Sequence, residues 1–395
     1  MKLAGRVAHI APFYTMELMK QAHALQVAGR DDIIHLSIGE PDFTAPHVVV
    51  DAAISALAQG KLQYTHAAGL PALREAIAAH YQDAFGVTIS PERIVVTAGA
   101  SGALLLACAA LVNGGDEVLM PDPCYPCNRN IVLTFDGVVN SIPCDAEQKF
   151  QLTAAAVAAH WGLRSRGICI ASPSNPTGTS IASSELAGIM DFVRRKGGFV
   201  IVDEIYQGLS YDTPAHTALA LDQDIIVINS FSKYFDMTGW RLGWMVVPEY
   251  LAPAFEKLAQ NLFICASSVA QHAALACFTP EAMHQFEARR VEFKRRRDYL
   301  VPALRGLGFT IPVMPDGAFY VYADCSRFSD NADQFAKELL VNCALVVVPG
   351  LDFGPALAGR YIRLSYATSM QQLEIAVARL SGYLAGRKTL KASAT

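Results

Sequence analysis

The 395-residue sequence has no apolar run long enough to cross a membrane as a helix. Its longest nearly uninterrupted one, GALLLACAALV at residues 102–112, falls short of the roughly 18–20 residues a spanning helix needs and is expected to form a buried helix. A secretory core is missing too, because His9, Pro12 and Glu17 interrupt the stretch that follows Lys2 and Arg6. No lipidation motif is present, so the expected location is cytoplasmic. Charge of one sign is also lacking. The 32 Lys and Arg against 36 Asp and Glu leave a net charge of -4 with both signs interspersed, which favours neither nucleic acid nor an anionic membrane as partner. The basic string RRVEFKRRR is interrupted by Glu292 and flanked by Glu287 and Asp298, and helical spacing spreads it round an axis, so a solvated helix face is expected there. What remains is a small-molecule partner or a second copy of the chain.

A disulfide framework is not expected from nine cysteines, an odd number scattered through a long chain. CYPC at 124–127 has redox or zinc spacing, yet no second C-x-x-C or close histidine pair accompanies it, so no metal site is expected and the thiols are read as free. The chain also lacks G-x-G-x-x-G and the P-loop, which removes the commonest dinucleotide and triphosphate readings.

What is present is a 52% hydrophobic composition, enough for a buried sheet or a subunit interface. PFYTMELMKQAHALQVAG places Phe13, Met16, Met19 and Ala24 near helical period, with Gly29 as a stop. TAPHVVVDAAISALAQG and PALREAIAAHYQDAFG begin with Pro46 and Pro71 in the first turn and end at Gly60 and Gly86. From Arg93 onward the β-branched runs RIVVT, EVLM, GICIA, FVIVD, DIIVINS and LGWMVV alternate with helical stretches. Such alternation predicts an α/β fold with a mostly parallel sheet between helices, whose ligands sit at the carboxyl ends of the strands. After Thr279 a long charged helix and the strands FYVYAD, ALVVVP and RYIRLSY read as a smaller α+β domain. The tail RKTLKASAT is expected to fray.

Chemistry-bearing residues follow the strands. After RIVVT the small residues of AGASGALLL, with Ala100, Ser101 and Gly102, permit a turn straight into a helix, whose first N–H groups suit a phosphate. Packing alone would also explain such a turn. After GICIA comes SPSNPTG with Asn175, and after FVIV comes DEIYQG with Asp203 and Tyr206, which taken singly could be an amide in a turn, a cap and a packed ring. After IIVIN comes SFSK, Ser230 to Lys233, with Arg241 eight residues beyond. A lysine in apolar company is poorly explained by structure, because burial disfavours its ammonium; a suppressed charge is useful in a nucleophile, since only the neutral amine attacks a carbonyl. Ser230 and Lys233 also fit S-x-x-K of the penicillin-binding proteins, but no K-T-G completes that set.

Taken together, SFSKYFDMTGWRLGW resembles the pyridoxal-phosphate attachment signature of the class I and II aminotransferases, the aspartate-aminotransferase superfamily of fold type I. LSIGEPDF, TAGASGAL, DPCYP, SPSNPTG, DEIYQGL and RYIRLSYA each resemble the family segment expected at that place, and the likeness runs from about Arg6 to about Leu384. It implies a large domain with a seven-stranded, mostly parallel sheet at 46–280, a small α+β domain at 281–395, and an N-terminal segment at 1–45 packed with the small domain. It implies that Lys233 forms the internal Schiff base with pyridoxal 5'-phosphate and then shuttles the proton at Cα. Ser230, Ser232, Arg241 and the turn at Ala100, Ser101 and Gly102 would hold the phosphate. Asp203 would keep the pyridine nitrogen protonated, Tyr206 and Asn175 would bond the ring hydroxyl, and Tyr125 would stack on the ring. Arg363, helped by Asn175 and the Gly39 N–H, would grip the substrate α-carboxylate. Tyr64 would reach the cofactor phosphate of a neighbouring subunit, making the site complete only in a homodimer.

The implied reaction is ping-pong transfer of an amino group from an L-amino acid to a 2-oxo acid. A carbon-sulfur β-lyase of the same fold is the alternative, and a cofactor-binding regulator a more distant one. One bacterial subgroup has a lysine for the distal carboxylate where this chain has Ser101. With Ile10, Phe13 and Tyr14 expected along the side-chain pocket, a neutral, hydrophobic or aromatic donor is favoured and aspartate stays open.

Overall fold

The computed structural model describes residues 1–392. Side chains from 387 on and the last three residues lie outside that description, and with them the fraying expected of the tail. From edge to edge the main sheet runs Ile94–Thr97, Gly243–Val246, Ile226–Ser230, Phe199–Asp203, Ser165–Ala171, Glu117–Asp122 and Val138–Pro143. All pair in parallel except Gly243–Val246, which is antiparallel to both its neighbours. Six of these strands coincide with the β-branched runs read from the sequence. The seventh, Val138–Pro143, is a half-buried edge strand whose central Asn140 and Ser141 break the apolar run.

Period-two alternation explains why the sheet is buried on both faces. Ile94, Val96, Val200 and Val202 point into one core, while Val95, Ile201, Ile226 and Ile228 point into the other. Both faces therefore need helices, as a parallel sheet does. The helix Gly99–Leu111, which takes in the run at 102–112 up to its last residue, packs Ala103, Leu106 and Ala107 into the second core and is buried as expected. The helices Pro71–Phe85 and His47–Ala58 appear where their start and stop residues put them, with Gly60 and Gly86 left-handed. Pro46 stands at the cap position rather than in the first turn.

The C-terminal part follows the helix Pro280–Leu307, capped by Thr279. It contains an antiparallel sheet in the order Val348–Pro349, Tyr361–Ser365, Tyr320–Asp324. The N-terminal strand Ile34–His35 pairs in parallel with Leu345–Val346, and Ser365 donates its N–H to Leu36 O at 2.7 Å. The N-terminal helix Tyr14–Val27 buries Leu18 and Ala22 against Leu340 and Val346. The basic cluster departs from the solvated face expected of it. Arg296 and Arg297 are buried, with Arg296 bonded to Asp42 at 2.7 Å and Arg297 to Asp212 at 2.5 Å. Ser329-Asp330-Asn331 matches the S-D-N element of the penicillin-binding set, yet here Asn331 caps the helix Ala332–Cys343. All nine cysteines are free, and no helix among the described residues is long and apolar enough to cross a membrane.

Candidate active site

A cavity of about 420 Å³ opens at the carboxyl ends of the main-sheet strands. It is lined by Gly39, Ala100, Ser101, Tyr125, Asn175, Asp203, Tyr206, Ser232, Lys233, Arg241 and Arg363, so most of the residues singled out in the sequence meet in one place. Three of those expected at the cofactor do not line it. Gly102 is buried as the fourth residue of the helix Gly99–Leu111. Ser230 sits beneath the site, donating to Leu242 O at 3.0 Å and accepting from the Ser232 N–H at 3.1 Å, which makes it the brace of that turn. Tyr64 is 79% exposed and lies outside the lining of its own chain's cavity.

One end of the cavity suits an anion. The helix Gly99–Leu111 starts with no side-chain cap, leaving its first N–H groups for a ligand. Arg241 reaches the same turn from two residues before the antiparallel strand Gly243–Val246. A Cβ on Gly99 would come 2.7 Å from its guanidinium, and one on Gly243 would come 2.7 Å from the Gly99 backbone. Both glycines are therefore needed for this approach.

At the other end Asp203, buried at the end of Phe199–Asp203, accepts the Ile205 N–H at 3.1 Å. Burial lifts its carboxyl to about 6, against that N–H and the charge of Lys233. A cation opposite it would draw the value back down. Between the two ends Lys233 donates to Gly39 O at 2.5 Å. Burial pushes its ammonium down to about 8; Glu40 opposes the shift and Arg241 and Arg363 assist it. About a tenth of the amine is then neutral at pH 7, against well under a thousandth for an ordinary lysine.

Arg363 is buried, with Nη1 donating to Asn175 Oδ1 at 2.8 Å and Nη2 to Ser37 O at 2.6 Å. Its guanidinium lies 4.4 Å from the centre of the Tyr320 ring and 5.0 Å from that of Phe353, and its Nε has no partner. A buried cation held by neutral acceptors and ring faces is a receptor for a carboxylate. Tyr206, also buried, shares a 2.8 Å hydrogen bond with the Tyr320 hydroxyl. Burial chiefly holds the Tyr206 phenol well above its usual range, so it is a neutral hydrogen-bonding group at physiological pH.

The cavity thus brings together a helix start with Arg241, the carboxylate of Asp203, the amine of Lys233 and the guanidinium of Arg363. A family profile described as aminotransferase class I and II matches residues 31–380. The chain belongs to this family. Its cofactor is pyridoxal 5'-phosphate and its reaction is transamination. It is 40% identical over 379 residues to the valine–pyruvate aminotransferase of Mycobacterium tuberculosis, covering 95% of this chain and 97% of that one. Among solved structures it is similar to an aminotransferase from Mycobacterium tuberculosis at 39% identity and a TM-score of 0.94, covering 98% of this chain and 100% of that one. It is also similar to the Thermus thermophilus aspartate aminotransferase with maleate, at 32% identity and a TM-score of 0.91, covering 96% and 99% of the two chains. These relatives favour transfer over the β-lyase alternative.

The aminotransferase cavity also contains residues that sequence reasoning missed. Tyr320 comes from the small sheet, Glu40 stands beside Gly39 in SIGEPDF, and Thr15, Met16, Met19 and Ile38 form an apolar side. Of the three residues expected along the side-chain pocket, Phe13 lines the cavity, whereas Ile10 and Tyr14 do not. The helical period of Phe13, Met16 and Met19 was the available signal. Its stripe faces the cavity, while Leu18 and Ala22 face the core.

Proposed function

We propose that this aminotransferase takes the amino group of a neutral, apolar L-amino acid. One observation carries the reading: among the described residues the cations lining the cavity are Lys233, Arg241 and Arg363, each already committed, so none of them is left over for a distal carboxylate. Phe13, Met16, Met19, Ile38 and Leu104 give the remaining wall an apolar character. The name of the valine–pyruvate relative agrees with it. In half-reactions without an oxo acid, the cofactor absorbance is expected to change at least about tenfold faster, per molar donor, with valine or leucine than with aspartate. Faster reaction with aspartate would overturn the reading.

When bound, pyridoxal phosphate supplies the aldehyde that receives the amino group and the protonated ring that draws off the electron pair at Cα. The chain does the rest. Ala100, Ser101, Ser232 and Arg241 hold the phosphate, with Gly102 and Ser230 shaping the turns that present them. Asp203 would keep the ring nitrogen charged, and Tyr125 would pack on the ring. Tyr206 and Asn175 bond the ring hydroxyl. Arg363, Asn175 and the Gly39 N–H would orient the donor carboxylate in the cavity that Lys233 also lines. Lys233 would hold the cofactor through its amine and would carry the proton from Cα of the donor.

The reading includes a division at 46–280 and 281–395, with 1–45 packed on the latter, so that Lys233 and Arg363 reach the site from different domains. It also includes a cytoplasmic homodimer. Free thiols and the absence of a spanning helix suit the location. Exposed Leu62, Tyr64, Leu105, Leu262 and Ile264 suit a subunit interface. In the dimer Tyr64 would donate to the cofactor phosphate of the other subunit. Tyr64→Phe is then expected to weaken cofactor binding about tenfold, the size of one hydrogen bond to a charged group, without lowering the melting temperature of the cofactor-free protein. Unchanged cofactor affinity in a titration would count against that role.

A further inference from the structure

The short 3-10 turn Gly350–Asp352 and the following Phe353 join three parts of the site. Asp352 is 3% exposed and lies outside the cavity lining. Its carboxylate accepts the Tyr14 N–H at 3.0 Å, the Thr15 N–H at 3.4 Å and the Thr15 hydroxyl at 2.7 Å. These groups open the helix Tyr14–Val27, whose own cap residue, Phe13, provides no side-chain acceptor. The cap thus comes from a residue 338 positions further along the chain. Next to it, Phe353 lies against Arg363. The Phe353 carbonyl takes the Cys124 N–H at 2.9 Å, and Arg129 donates to Phe353 O at 2.5 Å and to Asp352 O at 3.0 Å. Cys124 and Arg129 flank Tyr125, on which the Phe13 ring rests edge-on at 5.8 Å.

We propose that Asp352 is a positioning residue for donor selection: by capping the helix Tyr14–Val27 it fixes Phe13, Met16 and Met19 as the apolar wall opposite Arg363. The proposal rests on the reading that the donor side chain is apolar. The body of the helix is held separately by Leu18 and Ala22 on Leu340 and Val346, so loss of the cap would free mainly the first turn. That turn carries Phe13 and Met16. A donor with a long apolar side chain would feel the change, whereas alanine, held by Arg363 and the cofactor alone, would not.

The test compares kcat and KM for L-alanine, L-valine and L-leucine in the holoenzyme and in Asp352→Ala and Asp352→Asn. Asp352→Ala is expected to raise KM for leucine about tenfold while leaving kcat and KM for alanine within about twofold. Asp352→Asn, which keeps one acceptor oxygen, should fall between. Adding Met16→Ala should cost less in Asp352→Ala than in the wild type, because the wall is already displaced. Equal losses with alanine and leucine, or strict additivity with Met16→Ala, would overturn the proposal. If Asp352→Ala does not accumulate as a folded holoenzyme, Asp352→Asn decides: an unchanged leucine-to-alanine ratio overturns it. Failure of the underlying reading looks different, because the wild type would itself prefer aspartate to leucine, and the proposal would fall with it.

Discussion

Lys233→Ala is expected to lower kcat on the order of 10⁴-fold or more, since under the proposed roles it removes both the resting attachment of the cofactor and the group that carries the Cα proton. The cofactor itself should still bind, because the Gly99 turn, Ser232 and Arg241 at its phosphate end do not depend on the lysine side chain. Borohydride treatment should therefore fix cofactor to the wild-type chain and not to the variant, although both are yellow before treatment. A variant that keeps more than about a hundredth of the activity would rule out a required lysine. The pH dependence follows from the same residue. Burial lowers the Lys233 ammonium to about 8, and only its neutral form attacks an aldehyde. Cofactor uptake by the stripped protein should quicken about tenfold per pH unit below that value and level off above it. An uptake rate that keeps climbing to pH 10 would show an ordinary, solvated lysine.

Arg363→Ala carries the second largest expected effect, a fall in kcat/KM on the order of 10²–10³, the cost of leaving a buried carboxylate without its charge partner. The loss should sit mainly in KM, with cofactor affinity unchanged. Arg363→Lys should recover little. Asn175 Oδ1 and Ser37 O are spaced for the two terminal nitrogens of a guanidinium, with Tyr320 and Phe353 against its faces, and an ammonium cannot reproduce that fork. Steady-state kinetics with one good donor, paired with cofactor titration, separates this outcome from a general collapse of the site. An unaltered KM would mean that another group reads the carboxylate.

The two predictions differ in how early their residues could be found. Lys233, Asp203 and Ser232 each lie at or within a few residues of a strand end, so the α/β alternation places them on one rim of the sheet without knowledge of any distant contact. Arg363 is the third residue of the strand Tyr361–Ser365 in a different sheet, and its pattern there is that of a core position. Only the likeness of RYIRLSYA to a family segment marked it. Arg296 and Arg297 show the opposite failure: their string reads as a solvated face, and tertiary pairing with Asp42 and Asp212 buries both.

The sequence by itself determined the mostly parallel sheet and the placing of the glycine turn and Lys233 after its strands, because strand alternation and turn glycines are properties of neighbouring residues, while the cofactor followed from the likeness to the family. Only the tertiary structure decided which apolar residues form a pocket wall rather than core, that Tyr320 meets Tyr206, and that Asp352 caps a helix 338 positions away. Those contacts depend on how helices and sheets pack across long loops, and a periodicity along the chain shows which side chains share a face without showing what that face meets.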